Sequence, residues 1–425
     1  MTSASLFEVN DLENTNRLEV SADLGNLWEL NGTIHEYAYL THNFFRYYGK
    51  FPSALAKRVI NEFIETNGPA NIIDNYSGSG TTLVEAVIAG HNAIGVDINP
   101  LGVLAANVKT TFLPAQALED ACRKILLVAK DFLESGEAEI AIDHLPMEEL
   151  EKWFSLQATL ELCALRHAIY GFESGTIKDF YLLAFASIIR RVSRAYDGEV
   201  RPHINKGKAP RSPLEVFEKK SLDMCQRMKE FGVAVKGEAT AACYLGDNRA
   251  LIKSSEFASE SFDLALTHPP YVNCFDYLPV YRLELLWLDG LFNQWSVQSR
   301  NLLGSDYLDY KQLRKLETRS WPANPQVIES YRIGNLQMLE GLWQLLRPGA
   351  MCCVVIGDST IKGELLPVHR WFIEMGEMAG FRHKQTIYRT THYGTGKYAY
   401  KNRADYHGKA EKRDAILVFN KPKSG

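Results

Sequence analysis

The sequence predicts a doubly wound α/β fold with a mostly parallel sheet and a mainly helical insertion, and three stretches carry this prediction. Residues 70–102, ANIIDNYSGSGTTLVEAVIAGHNAIGVDINPLG, read as a strand, a glycine turn, a helix and a second strand. Residues 264–277, LALTHPPYVNCFDY, read as a buried strand that His-Pro-Pro-Tyr ends, because proline cannot donate to a sheet ladder. Residues 115–240 carry apolar residues at helical spacing. Sheets of this class bind ligands at the carboxyl ends of their strands, where the prolines lie.

The composition is that of a globular protein, with 46% hydrophobic and 23% charged residues among 425. This length fits one large domain with an insertion, or two to three ordinary domains. The net charge of -4 does not exclude nucleic acid, because a binding face can be locally basic. The seven cysteines show no paired CxxC spacing, so neither a disulfide framework nor a metal site is indicated. Without a secretion signal or a membrane-length apolar run, a cytoplasmic location is expected.

The glycine turn narrows the class of ligand. Its pattern is Asp74-x-Tyr76-x-Gly78-x-Gly80, followed by a helix and by a second strand that ends at Asp97. Glycines let a backbone approach its ligand, a helix amino terminus offers free N–H groups, and an acidic residue after the second strand can hold ribose hydroxyls. The turn lacks the third glycine of the dinucleotide fingerprint and the lysine of a phosphate-binding loop. A ligand with a ribose and no phosphate therefore fits better than NAD or a nucleoside triphosphate.

This segment resembles the S-adenosyl-L-methionine (AdoMet) motif of class I methyltransferases, and with THPPY it resembles the amino-methylating DNA methyltransferases. That family acts on cytosine N4 or adenine N6, and its catalytic loop reads Ser, Asp or Asn, then Pro-Pro and an aromatic residue. Residues 41–64, THNFFRYYGKFPSALAKRVINEFI, resemble the family's motif at the methionine end of AdoMet, and residues 244–251, YLGDNRAL, resemble the segment beside its adenine. Because the glycine turn precedes THPPY, the order resembles that of permuted members. The resemblance implies a Rossmann-like fold.

The resemblance also implies a cofactor site. Asp97 would hold the ribose hydroxyls, Asp247 the adenine amino group, and Phe51 with Pro52 the methionine side. The implied AdoMet contacts are Phe51, Pro52, Asp74, Tyr76, Gly78, Gly80, Thr81, Asp97, Asn99 and Asp247. The alternative is that Asp74, Asp97 and Asp247 only cap strand, helix and turn ends, which is a common task for aspartate.

The THPPY loop is suited to activating an exocyclic base amine, which is a poor nucleophile. The lone pair of an exocyclic base amine is delocalised into the ring, and acceptors that hold its hydrogens let the nitrogen pyramidalise. The Pro269 carbonyl can accept one hydrogen, since prolines leave no competing N–H nearby, and the side chain at 268 can accept the other. Tyr271 would stack on a base swung out of the duplex, and direct displacement of the methyl group needs no metal. The predicted catalytic residues are His268, Pro269, Pro270 and Tyr271.

His268 departs from the family's Ser, Asp or Asn. A histidine accepts a hydrogen bond only when neutral, through one ring nitrogen, so activity would fall as the pH drops through its pKa. In the alternative, His268 points away and Thr267 or a water accepts the hydrogen. The departure bears on the choice between cytosine and adenine more than on methyl transfer itself.

Two basic stretches are candidate DNA contacts. The first, named here the basic arm, spans residues 190–213, RRVSRAYDGEVRPHINKGKAPRSP. The second, residues 381–413, alternates tyrosines with cations, which suits unstacked bases and backbone. The predicted DNA contacts are Arg191, Arg194, Arg201, Lys206, Lys208, Arg211, Tyr393, Lys397, Lys401 and Arg403. The alternatives are a solvated connection for the basic arm and a long hairpin at the sheet edge for the second stretch.

Four regions and one leading function follow. The regions are an N-terminal extension at 1–40, an AdoMet-binding half at 41–114, a helical, candidate target-recognition insertion at 115–240 and a catalytic half at 241–425. We expect AdoMet-dependent methylation of double-stranded DNA at a specific sequence, with cytosine N4 ahead of adenine N6. A cognate restriction endonuclease is a candidate partner. The alternatives are an adenine-N6 enzyme, an RNA amino methyltransferase and a catalytically inactive DNA-binding relative.

Overall fold

A mostly parallel sheet forms the centre of the protein. The computed structural model describes residues 26–29, 36–64, 68–235, 237–249, 257–271, 277–288, 325–361, 364–390 and 413–423. The strands in this part of the chain are β1 Asn26–Glu29, β2 Asn71–Asp74, β3 Asn92–Asp97, β4 Ala241–Leu245, β5 Phe262–Thr267, β6 Leu346–Gly357, β7 Ser359–Ile361, β8 Glu364–Leu366, β9 Arg382–Thr390 and β10 Arg413–Asn420. Eight of them form one sheet in the order β1-β9-β10-β6-β5-β2-β3-β4, and β7 pairs with β8. Within the large sheet β10 is antiparallel to both neighbours, and the other pairs are parallel.

Helices cover both faces of this sheet. They are α1 Ser53–Phe63, α2 Thr81–Ala89, α3 Pro100–Thr110, α4 Ala115–Glu134, α5 Glu137–Ala141, α6 Met147–Trp153, α7 Leu156–Tyr170, α8 Thr176–Val192, α9 Pro213–Ala234, α10 Tyr277–Val280, α11 Arg282–Trp287, α12 Pro325–Leu345 and α13 Val368–Met378. On one face, Phe372 of α13 shares a core cluster with Val354 of β6. On the other, Leu55 of α1 shares a cluster with Val355 of the same strand. Neighbouring strand residues point to opposite faces, so the predicted doubly wound α/β fold is confirmed.

The strand order creates one switch point. The chain runs from β2 outward through β3 to β4, and then returns to place β5 on the other side of β2. Ligands of open α/β sheets bind at the carboxyl edge where the order reverses. The glycine turn follows β2, and residues 268–271, named here the PPY loop, follow β5, so both motifs lie at this edge.

Two of the predicted regions are joined to the central part of the fold, one through a strand of the large sheet and the other through a common core. Residues 26–29, within the predicted N-terminal extension, form the edge strand β1 beside β9. The helices of the insertion pack around Phe180 and Phe185, in a cluster that also contains Phe44 and Trp287 from outside the insertion. The insertion therefore packs into a common core with the elements that flank the site. Among the described residues, no helix is long and apolar enough to span a membrane.

Candidate active site

The glycine turn between β2 and α2 depends on two left-handed glycines. Gly78 has φ of 51° and Gly80 has φ of 77°, values that residues with a Cβ rarely adopt. A Cβ on Gly78 would lie 2.9 Å from the Tyr47 ring, and a Cβ on Gly80 would lie 2.8 Å from the Cβ of Ala106. A Cβ on Gly102 would lie 2.8 Å from the Gly78 carbonyl oxygen. The turn is therefore bare backbone held closely between Tyr47 and α3.

Asp74 ends β2 and braces this turn. Its Oδ2 accepts a hydrogen bond from Thr82 Oγ1 at 2.5 Å, and its Oδ1 accepts one from the Tyr76 N–H at 3.1 Å. Burial raises the pKa of Asp74 to about 7, although both hydrogen bonds oppose the shift. Thr81, the first residue of α2 and the chain neighbour of Thr82, is also buried. Asp74 thus performs the bracing task that was the alternative to a ligand contact, and its direct contact with AdoMet stays a prediction.

Asp97 ends β3 and reaches the same turn. Its Oδ2 accepts from the Gly78 N–H at 2.7 Å, and its Oδ1 accepts from the Asn99 N–H at 2.8 Å. Burial raises the pKa of Asp97 to about 6, while these backbone hydrogen bonds oppose the shift. An ionised carboxylate offers about four lone-pair sites. Asp97 therefore retains acceptor capacity for the hydroxyl groups of a ribose.

Tyr47 belongs to this site; it lies within the 41–64 segment but is not among the predicted AdoMet contacts. Asn99 donates from Nδ2 to Tyr47 Oη at 3.1 Å, while its Oδ1 caps α3 by accepting from the N–H of Leu101 at 3.0 Å. The Tyr47 ring also stacks on Tyr281, with centroids 5.6 Å apart and planes at 26°. The side chain of Asn99 is therefore used to position Tyr47 and α3, and its AdoMet contact stays a prediction.

The PPY loop meets Phe51 and Pro52, named here the FP motif, at the switch point. Phe51, which is buried, lies edge-on to His268 with ring centroids 5.4 Å apart, and Pro52 directly precedes α1. His268 Nε2 lies 3.1 Å from Tyr271 Oη, in a hydrogen bond whose donor depends on the tautomer. The two rings are nearly perpendicular, with centroids 5.3 Å apart. His268 thus lies between the predicted methionine-side residue and the aromatic residue of the loop.

Tyr331 of α12 holds the loop from another side. Its hydroxyl donates to the Pro270 carbonyl at 2.8 Å, and its ring packs edge-on against Phe372 with centroids 6.3 Å apart. Thr267, directly before the loop, is fully buried, and its hydroxyl has no hydrogen-bond partner among the described residues. Tyr331 therefore fixes the loop backbone next to Pro269, the predicted acceptor of an amine hydrogen.

The YLGDNRAL segment also returns to the glycine turn. Asn248 donates from Nδ2 to the Asn75 carbonyl at 3.1 Å. The neighbouring Asp247 carboxylate binds the Arg249 side chain through both oxygens, with Nη2 2.6 Å from Oδ2. Asp247 is therefore close to the turn, but its carboxylate is paired with a guanidinium, and a contact with the adenine amino group stays a prediction.

Buried polar atoms border the turn and provide a test of ligand fit. Asn75 and Ser79 are each 1% exposed, yet both amide atoms of Asn75 and the Ser79 hydroxyl lack a hydrogen-bond partner in the described part of the chain. Such groups are rare unless a water or a ligand satisfies them. A glycine cradle with free donors and acceptors fits the polar ribose and amino-acid ends of AdoMet. The sequence motifs do not single out Asn75. Its one signal is that it is a polar residue within the glycine turn segment DNYSGSG.

A buried lysine donates a hydrogen bond to the backbone of the same turn. Lys109 on α3 is fully buried, and its ammonium nitrogen donates to the Ser79 carbonyl at 2.9 Å. Burial lowers the pKa of Lys109 well below its ordinary value, and the charges of Lys50 and Lys220 add to this effect. Sequence alone could not reveal this role, because a lysine on a helix is usually exposed.

The basic arm folds back on itself and exposes most of its cations. Ala195 and Ile204 pair across it in antiparallel fashion. The exposed predicted contacts are Arg191, Arg194, Arg201, Lys206 and Arg211. Lys208 differs, because its ammonium group donates to the Arg190 carbonyl at 3.0 Å, to the Ala195 carbonyl at 2.7 Å and to Asp197 Oδ1 at 2.7 Å. An ammonium group has three N–H donors, so Lys208 has none left for a phosphate in this arrangement.

In the second basic stretch, the four predicted contacts lie outside the described residues: Tyr393, Lys397, Lys401 and Arg403.

The strand order, the glycine turn and the position of the PPY loop together define a class I methyltransferase fold. Residues 7–107 match the N6/N4 methyltransferase family, described as DNA methylase. The chain is 22% identical to the Type II methyltransferase M.MvaI of Kocuria varians, over 82% of this chain and 84% of that protein. It is 24% identical to the Type II methyltransferase M.BsoBI of Geobacillus stearothermophilus, over 90% of this chain and 86% of that protein. These likenesses are to amino-methylating DNA methyltransferases, whose methyl donor is AdoMet, and they support that family for this chain.

Solved structures give more distant matches. A SAM-dependent methyltransferase from Methanosarcina mazei matches with a TM-score of 0.32 and 9% identity, over 86% of this chain and 98% of that one. An rRNA methyltransferase from Streptomyces viridochromogenes matches with a TM-score of 0.29 and 14% identity, over 88% and 86%. The fold assignment depends on the strand order of this chain.

Proposed function

We propose that the protein methylates the exocyclic amino group of a base in double-stranded DNA at a specific sequence, with cytosine N4 favoured over adenine N6. The supporting observation is that the glycine turn and the PPY loop, distant in sequence, meet at the switch point of the sheet. Phe51 of the FP motif packs against His268 of the loop, so the three motifs converge. The preference for cytosine follows from the residues around THPPY, which resemble those of the cytosine enzymes.

The protein's main task in this reaction is to hold the amine. AdoMet, when bound, would supply an electrophilic methyl group, whose carbon the amine nitrogen attacks as the sulfur leaves as a neutral thioether and the nitrogen gives up a proton. The Pro269 carbonyl accepts one hydrogen of the amine, and the bond from Tyr331 to Pro270 keeps this part of the backbone in place. Tyr271 stacks on the flipped base, a contact typically worth about 1–3 kcal/mol. Positioning of this kind is the main catalytic contribution in a direct transfer.

His268 contributes by holding the ring of Tyr271. When Nε2 accepts from the Tyr271 hydroxyl, the imidazole is neutral and its proton is on Nδ1. Protonation of the ring converts Nε2 into a donor and removes this acceptor. Activity is therefore expected to fall as acid protonates His268, the same direction as for a histidine that accepts from the amine directly.

The predicted ligand contacts are part of the same proposal. Asp97 receives the ribose hydroxyls through its remaining lone pairs, and the unpaired amide of Asn75 joins the cofactor contacts. The exposed cations of the basic arm contact phosphates, which gives affinity that does not depend on sequence. Two relatives are Type II methyltransferases, which supports a cognate restriction endonuclease as a partner and the cytoplasm, where DNA and AdoMet meet, as the location.

Nucleoside analysis tests the proposal. DNA from cells that express the protein is digested and examined by mass spectrometry, and methylation-sensitive sequencing maps the modified site. We expect N4-methylcytosine, which should vanish in Asp97→Ala and persist in Asp120→Ala, an exposed change on α4. N6-methyladenine in its place would retain the chemistry and change the base. Absence of both from DNA, with folded protein that binds AdoMet, would overturn the DNA substrate, and a modified nucleoside in RNA would replace it.

A further inference from the structure

Arg190 lies in the basic arm, but the structure buries it. Its side chain is 8% exposed at the end of α8. Nη1 donates to Tyr48 Oη at 2.8 Å and to the carbonyls of Glu199 at 2.8 Å and Val200 at 3.1 Å, while Nη2 donates to the Val280 carbonyl. Tyr48 Oη in turn donates to the Glu199 carbonyl at 2.8 Å. Both terminal nitrogens of Arg190 are engaged within the protein, so this cation is not placed to contact a phosphate.

The acceptors of Arg190 come from three separate parts of the chain. Tyr48 lies just before the FP motif, Glu199 and Val200 lie in the basic arm, and Val280 ends α10, the helix that follows the PPY loop. The planar guanidinium has donors in fixed directions, which suits a junction between segments better than the point charge of a lysine. Arg190 therefore connects the arm with both halves of the active site.

A buried carboxylate completes this junction. Glu284 of α11 is 6% exposed in its side chain, and its Oε1 lies 3.7 Å from Arg190 Nε. Burial raises the pKa of Glu284, while the Arg190 charge lowers it. Removing one partner of a buried pair leaves the other charge uncompensated, which is strongly unfavourable. The pair therefore holds α11 against α8.

Further contacts dock the arm at the same place. Arg46 donates to the Asp197 carbonyl at 2.7 Å. The Tyr48 N–H donates to Tyr281 Oη at 2.9 Å, and Tyr281 stacks on Tyr47, the residue that contacts the glycine turn. A continuous set of packed and hydrogen-bonded groups thus leads from the arm to the turn.

We propose that Arg190 is a positioning residue that sets the basic arm in register with the glycine turn and the PPY loop, so that DNA held by the arm presents its target base to the site. This inference rests on the proposed function. Arg190 acts on the reaction through Tyr48, Val280 and Glu284, without touching DNA or AdoMet. Its loss should lower the rate of methyl transfer far more than the affinity for either ligand, since a misplacement of about 1 Å can cost about 10²-fold in rate.

The test compares Arg190→Met with two arginine variants of the same size change. Arg201→Met removes an exposed cation of the basic arm, and Arg123→Met removes an exposed cation of α4 outside it. For each, we would measure AdoMet affinity, DNA affinity as a function of salt, and the single-turnover methylation rate on the mapped site. For Arg190→Met we expect wild-type AdoMet affinity, a wild-type salt slope and a rate lower by about 10²-fold. For Arg201→Met we expect weaker DNA binding and a salt slope smaller by about 1, and for Arg123→Met wild-type behaviour.

Tyr48→Phe covers the case in which Arg190→Met does not fold. It removes one hydroxyl from the junction and leaves the buried ion pair intact, so a smaller loss of rate with unchanged affinities is expected. A reduced salt slope in Arg190→Met would make Arg190 a phosphate contact and overturn the proposal. A wild-type rate in Arg190→Met, or in Tyr48→Phe if Arg190→Met does not fold, would overturn it as well. If the wild-type protein itself methylates no DNA, the proposed function fails first, and the register argument fails with it.

Discussion

Gly80→Ala tests whether close packing between the glycine turn and α3 stabilises the site. Gly80 and Gly136 share a φ of 77°, but a Cβ on Gly80 would lie 2.8 Å from the Ala106 Cβ, whereas a Cβ on Gly136 has no atom within 4 Å. The left-handed conformation costs an alanine about 1–2 kcal/mol, and overpacking adds about 1–3 kcal/mol. We therefore expect the free energy of unfolding to fall by about 2–5 kcal/mol in Gly80→Ala and by about 1–2 kcal/mol in Gly136→Ala.

Urea denaturation of the two variants measures this difference, and calorimetry measures AdoMet binding. Gly136→Ala lies in the insertion and should keep wild-type AdoMet affinity. Gly80→Ala should weaken binding, because α3 has to move away from the turn to admit the methyl group. Equal losses of unfolding free energy in the two variants would refute the reasoning that a Cβ at position 80 clashes with α3. Unchanged AdoMet affinity in Gly80→Ala would show that the turn is not part of the cofactor site.

Three further measurements test the cofactor site, the buried lysines and the PPY loop. As the pH falls through about 6, AdoMet affinity should weaken because Asp97 becomes protonated and loses acceptor capacity, and calorimetry should show a flatter pH profile for Asp97→Asn. Burial lowers the pKa of Lys50 and of Lys220 to about 8, so these lysines bind protons more weakly in the folded chain than in the unfolded one. The free energy of unfolding should therefore rise between about pH 8 and about pH 10, less steeply in Lys50→Met, as urea titrations would show. Tyr331→Phe removes a hydrogen bond to Pro270 worth about 0.5–1.5 kcal/mol, so single-turnover rates should fall by about 2-fold to 13-fold with AdoMet affinity unchanged.

The sequence predicts those parts of the fold that a local pattern encodes. The glycine turn between β2 and α2 is readable because left-handed backbone requires glycine, as Gly78 and Gly80 confirm. The end of β5 is readable because prolines cannot continue a ladder. The sequence predicts an extension where strand β1 lies, since four residues carry too short an alternation to mark a strand.

The remaining parts of the site depend on contacts between distant segments. Tyr331 reaches Pro270 because α12 packs beside β6, and no pattern around Tyr331 shows this. Arg190 and Arg201 look alike in sequence, yet one is buried and the other exposed. Lys109 reads as a surface residue of α3 but supports the Ser79 carbonyl. Charge is visible in a sequence, whereas burial is a property of the packed chain.

A histidine at position 268 is compatible with methyl transfer because the loop divides its tasks among several groups. The aim of the Pro269 carbonyl depends on the prolines and on the bond from Tyr331, not on the side chain at 268. His268 Nε2 pairs with Tyr271 Oη, so its nearest task is to fix the ring that is proposed to stack on the base. The pH dependence of methyl transfer would then arise from this imidazole, and that of AdoMet binding from the Asp97 carboxylate. The two profiles should accordingly respond to different substitutions, since His268 and Asp97 lie after different strands of the sheet.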